Sequence, residues 1–167
     1  VVAITPVLVA VLLAGCGSSS STSKKGGEAN SSSLYGSGSS SSRSTARAAL
    51  ISTKRHGKLG TILAFGPKKL TVYMFEGDKG SHSSCTGACA RAWPPVTGTP
   101  KAGAGAMSSD LGTITRPDGT KQVTYKGHPL YLFVKDKDDG DAYGEGLKVF
   151  GADWYVLAPS GNKVDLS

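Results

Sequence analysis

The chain has 167 residues, of which 38% are hydrophobic. That length excludes a large multidomain architecture and suits one domain, or two small repeats sharing a core. Nineteen Lys and Arg against twelve Asp and Glu give a net charge of +7. The excess is uneven: positions 1–49 carry +3, positions 50–101 carry +6 and positions 102–167 carry −2.

The chain starts VVAITPVLVAVLLAGCGSSSS. Its uncharged run Val7–Ala14 is too short to span a bilayer as a stable helix, and it suits the apolar core of a secretory signal. The run ends in Leu13-Ala14-Gly15-Cys16 with polar residues after it. This resembles the lipobox of bacterial lipoproteins, in which the cysteine is lipidated and becomes the mature N-terminus. No Lys or Arg precedes the run. The expectation is a lipoprotein signal peptide over 1–15 and acylation at Cys16. The protein is then extracytoplasmic, anchored to the bacterial cell membrane by lipid. One acyl chain anchors only marginally, so a lasting tether needs two or more.

Positions 16–49 are rich in Ser and Gly and nearly free of large apolar side chains. Such a segment buries too little surface to offset its ordering entropy and reads as a flexible tether. The basic residues that follow make anionic lipid or an anionic wall polymer the natural neighbour. Nucleic acid is a poor partner for an exported chain.

From Leu59 onward the pattern is strand-like. GTILAF and LTVYMF are short β-branched and aromatic runs split by GPKK. GTITR and TKQVTY flank a Pro-Asp-Gly turn; HPLYLFV, LKVF and DWYVLAP follow. No long stretch keeps a 3.6-residue apolar period. The one candidate helical turn lies in SCTGACARAW, with Ser83 or Ser84 available as a cap. The predicted fold is mainly β, with seven to nine short strands.

The two halves repeat one another. YMFEGD (Tyr73–Asp78) and YLFVKD (Tyr131–Asp136) both read Tyr-x-Phe-x-x-Asp, and each is followed by a polar loop and a Trp, at Trp93 and Trp154. This predicts a small two-repeat antiparallel β module, with repeat 1 over 50–101 and repeat 2 over 102–167. On Tyr73, Phe75, Asp78, Tyr131, Phe133 and Asp136, on CTGACARAWPP and on GEGLKVFGADWYVLAP, the chain resembles the bacterial secreted-repeat lipoproteins with the Yx(FWY)xxD motif. The FGPKK turn departs from that family's usual Asp-x-x-Gly-type turn. The resemblance implies a small β-rich extracytoplasmic module and implies no activity.

In a strand Tyr73 and Phe75 share a face, as do Tyr131 and Phe133. Same-face aromatics are mostly core, and the Asp at the strand exit can serve a buried Tyr hydroxyl or loop amides. Cys85 and Cys89 form an even remainder once Cys16 is assigned, and an oxidising compartment favours a disulfide between them. The alternative is a metal or redox site using His82, Cys85 and Cys89, although four-ligand spacing is absent. DKDDGDAYGEG reads as a solvated acidic loop; Asp136, Asp138 and Asp141 are weak candidates for a cation, out of register for an EF-hand. No Gly-x-Ser-x-Gly, His-Glu-x-x-His or phosphate loop occurs, and His56 and His128 are isolated. The reading is therefore a binding or envelope-structural module rather than an enzyme, with no cofactor.

Overall fold

The computed structural model describes residues 47–166, so the expected signal, Cys16 and most of the tether lie outside the described residues. Strand structure begins at Ala48, two residues inside the span expected to be tether. Ten strands form among the described residues, one more than the expected upper limit, because several ladders are built from two-residue pieces.

Strand β1 (Ala48–His56) turns tightly into β2 (Gly60–Phe65), pairing antiparallel from Ile51–Phe65 to His56–Gly60. The GPKK turn closes with the Lys69 amide donating to the Gly66 carbonyl at 3.1 Å and leads into β3 (Leu70–Thr71). β5 (Thr99–Ala102) lies parallel to β1 on its other side, giving the order β3-β2-β1-β5. A second ladder joins β4 (Tyr73–Phe75), β10 (Ala152–Val156) and β9 (Lys148–Val149). A third joins β6 (Leu111–Thr115), β7 (Lys121–Tyr125) and β8 (His128–Pro129).

The expected helical turn is α1 (Ala88–Ala92). Neither serine caps it: Gly87 holds the cap position at φ +55° with no side-chain bond. Ser83 and Ser84 are occupied elsewhere, as described below.

The unbroken apolar runs follow from a chain buried on both faces, since successive strand side chains point to opposite sides. Ile62, Tyr73, Phe75, Tyr131, Phe133 and Val156 enter one cluster, which is aromatic and contains both tryptophans. Their neighbours Leu63, Val72, Met74, Leu130 and Leu157 enter a second, aliphatic cluster.

The two copies are interlaced rather than laid side by side. β10, which carries Trp154 of the second copy, pairs with β4 of the first, matching Trp154 to Phe75 and Val156 to Tyr73. Conversely, the segment after Trp93 of the first copy pairs with the motif strand of the second. There Pro95 bridges Tyr131, and the Leu132 amide donates to the Pro94 carbonyl at 2.9 Å. At the crossing, Tyr73 and Tyr131 exchange both backbone hydrogen bonds, at 2.9 and 3.0 Å.

Candidate functional site

The motif residues meet at this crossing. Trp93 and Trp154, both fully buried, lie face to face with centroids 3.8 Å apart and planes 5° from parallel. Phe75 stacks on the outer face of Trp154 at 4.3 Å, and Phe133 on that of Trp93 at 4.3 Å. Four rings thus form one column, Phe75-Trp154-Trp93-Phe133, alternating between the copies. Tyr73 and Tyr131 meet Trp93 and Trp154 edge-on at 5.3 and 5.1 Å, the other favoured aromatic geometry.

Each motif tyrosine serves the other copy's aspartate. The Tyr73 hydroxyl donates to Asp136 Oδ2 at 2.6 Å, and the Tyr131 hydroxyl donates to Asp78 Oδ2 at 2.7 Å. The second carboxylate oxygens hold the loops that follow. Asp78 Oδ1 accepts the Ser84 amide at 2.8 Å and its hydroxyl at 3.0 Å; Asp136 Oδ1 accepts the Tyr143 amide at 3.1 Å. Burial, reinforced by the neighbouring carboxylate, pushes both phenols well above their ordinary range. They remain protonated donors at any physiological pH. The motif is a joint between repeats, and its polar atoms are spent on one another.

A buried cation stands behind one of these pairs. Arg116 is 4% exposed and, among the described residues, touches no carboxylate. Its guanidinium donates to Ser83 Oγ, Gln122 Oε1 and the Cys85 carbonyl, each at 2.6 Å. Ser83 lies 2.7 Å from the Tyr131 hydroxyl, whose own proton goes to Asp78. The guanidinium is therefore joined to a carboxylate through two hydroxyls in line, Arg116-Ser83-Tyr131-Asp78. Charge-assisted bonds of this kind are the stronger class, and burial raises the stakes of each.

Behind the other pair stands Lys54, also buried. Its ammonium donates to the Asp139 carbonyl, His56 Nε2 lies 2.8 Å from the Gly140 carbonyl, and Thr71 donates to the Asp141 carbonyl. Three consecutive carbonyls of the acidic loop thus clamp it to β1 and the end of β3. The loop is less solvated than its composition suggests, and Asp136 is only 5% exposed. The reason is that Tyr73 and the Tyr143 amide satisfy its oxygens while Lys54 supplies opposite charge nearby.

Burial pushes the Asp136 carboxyl above its ordinary value; Tyr73, the Tyr143 amide and Lys54 pull the other way. Burial also lowers the Lys54 ammonium. Because the folded value of Asp136 exceeds the unfolded one, its contribution to stability is complete below the ordinary carboxylate range and is lost as pH rises through the folded value. Lys54→Met removes the attracting charge and is expected to move Asp136 further up in a carboxyl-carbon NMR titration. An unchanged or lowered midpoint contradicts this placement of the lysine.

Cys85 and Cys89 are bonded to each other, with Cα atoms 5.2 Å apart. So short a loop gains about 2 kcal/mol in the chain-entropy model. The bridge also fixes the Cys89 carbonyl, which accepts the Trp93 amide at 2.7 Å and so sets the entry to the stack. The metal alternative needs these two sulfurs as thiolates, and here they are spent on one another while His82 lies exposed. The acidic candidates do not converge either: Asp141 Oδ2 accepts the Lys137 and Asp138 amides, and Asp136 faces inward. Among the described residues no group of three His, Cys, Asp or Glu is placed to hold a metal ion.

Sequence reasoning missed Arg116, Ser83, Gln122 and Lys54, the polar residues that complete the joint. No local signal marked them out. Gln122, second in KQVTY, alternates with Val123 and Tyr125, so periodicity sets it on the face away from theirs; it is fully buried because this strand is covered on both sides.

Searches of curated proteins and of solved structures find no match. Among the described residues no helix is long and apolar enough to cross a membrane. A family model described as a secreted repeat of unknown function matches twice, over residues 56–97 and 112–158, together more than half of the chain. These spans contain both motif strands and both tryptophans of the interlaced pair. The chain therefore belongs to this family of secreted repeats of unknown function.

Proposed function

We propose that this chain is a non-catalytic binding or envelope-structural module, displayed outside the cytoplasm on a lipid anchor at Cys16. One observation carries the reading: the motif's hydroxyls and carboxylates are consumed in holding the two repeats together, which leaves the loops, different in the two copies, as the parts not spent on the joint. Loops on a rigid scaffold are where binding surfaces are usually placed. The secreted character of the family supports the extracytoplasmic location.

The charge distribution supports a neighbour of anionic lipid or wall polymer. The four ion pairs among the described residues all use Lys126, Lys148 or Lys163, whereas the cations between positions 47 and 101 enter none of them. The test is palmitate labelling and membrane fractionation of wild type and Cys16→Ala. Wild type is expected to be labelled and to stay with membranes through a 1 M salt wash. The variant is expected to lose the label and to be released by salt, which screens the remaining electrostatic attraction to about 3 Å. Labelling that persists in Cys16→Ala refutes the anchor.

A further inference from the structure

The hairpin joining β9 to β10 carries Phe150 and Gly151 at its tip, with φ +60° and +93°. A two-residue turn with both φ positive favours Asn-Gly. A bulky side chain there is a backbone outlier, and such outliers collect at functional positions. Burial does not explain the choice, because Phe150 is 49% exposed.

The tip is nevertheless held firmly. The Trp154 indole donates to the Val149 carbonyl at 3.2 Å, tying the hairpin to the ring column, and Lys148 and Asp153 pair across its base at 3.9 Å. Between this tip and the disulfide loop lies a cleft of about 460 Å³, within the size range of small-ligand sites. Phe150 supplies open aromatic surface and the nearly buried Phe75 an edge of it, Thr86 supplies a hydroxyl, Ser84 an acceptor oxygen whose proton is given to Asp78, and Gly77 and Gly151 leave bare backbone in the walls. Among the described residues no charged side chain lines it. Counted four residues back from each tryptophan, the two copies carry Cys89 and Phe150, so the cleft is made where the repeats differ.

We propose that this cleft binds a neutral sugar ring. Aromatic rings attract polarised C–H groups to their negative faces, so the apolar face of a pyranose fits Phe150. Its hydroxyls then find Ser84, Thr86 and the open backbone. The uncharged lining disfavours ionic ligands, which belong to the basic surface instead. The proposal rests on the binding-module reading and gives it a site and a ligand class.

The test is titration of the purified full chain in detergent with N-acetylglucosamine tetramer and with cellotetraose, followed by NMR and calorimetry. Phe150→Asn places the favoured residue in the turn, so the variant is expected to melt at the same temperature as wild type or higher. Binding of at least one tetrasaccharide, with shifts at Gly151 and Thr86, is expected to weaken tenfold or more in this variant and severalfold in Thr86→Val. Absence of binding by wild type overturns the site, and so does equal binding by Phe150→Asn, although equal binding leaves the module reading standing. A melting temperature that falls in Phe150→Asn, or a wild-type dimer that this variant abolishes, reassigns the ring to stability or self-contact and also overturns the site. Cleavage of either sugar overturns the non-catalytic reading instead.

Discussion

Trp154→Ala is expected to remove about 3–5 kcal/mol of folding stability, read from urea unfolding of wild type and variant. Small domains have total stabilities of only about 5–15 kcal/mol, so the variant is left near its unfolding threshold. Three contributions act together. A fully buried indole leaves a cavity, the rings of Trp93 and Phe75 lose the partner between them, and the Val149 carbonyl loses its donor. Trp93→Ala is expected to be comparable. The double variant should lose less than the sum, since either single change already breaks the Trp-Trp contact. Strict additivity counts against the four rings acting as one unit. The surroundings have no slack to absorb such changes: a Cβ added to Gly144 would stand 2.6 Å from the Trp93 ring and 2.9 Å from that of Tyr73.

The second large effect concerns the chain cut in two. Fragments 47–107 and 108–166 are each expected to lack cooperative unfolding when alone as monomers, and to regain the native circular dichroism spectrum when mixed in equal amounts. The interruption falls in an exposed stretch between β5 and β6, so few contacts are lost at the cut itself. What each fragment lacks is a strand. The first has β4 without β10; the second has Tyr131 without the Pro94–Pro95 backbone that pairs with it. Each also leaves a motif Tyr or Asp buried without its partner, at a cost of about 1–3 kcal/mol per group. A fragment that folds alone as a monomer contradicts the interlaced arrangement.

Much of the fold was legible. The β-branched and aromatic runs became strands, SCTGACARAW contains α1, and the alternation of Tyr73 with Phe75 and of Tyr131 with Phe133 gave their common face. The exchange of strands was not legible, for a physical reason: the copies share one pattern, so Trp154 suits the motif strand of either half equally well on periodicity alone. Phe150 was read as the end of a strand because aromatic residues favour strands, yet β9 stops at Val149 and Phe150 turns the corner. Arg116 escaped notice because cations are seldom buried, and nothing local announces a guanidinium whose two terminal nitrogens are held by neutral groups while its Nε has no partner.

The strand exchange also sets a rule of parity. A lone repeat of this kind lacks the closing strand that its sibling supplies, so its smallest saturated assembly is two. A chain carrying one copy has to find a second chain, and a chain carrying three leaves one copy with an open edge. Inheritance and engineering alike then act on the pair. The first copy can trade its disulfide loop, and the second its hairpin tip, while the column of rings between them keeps count.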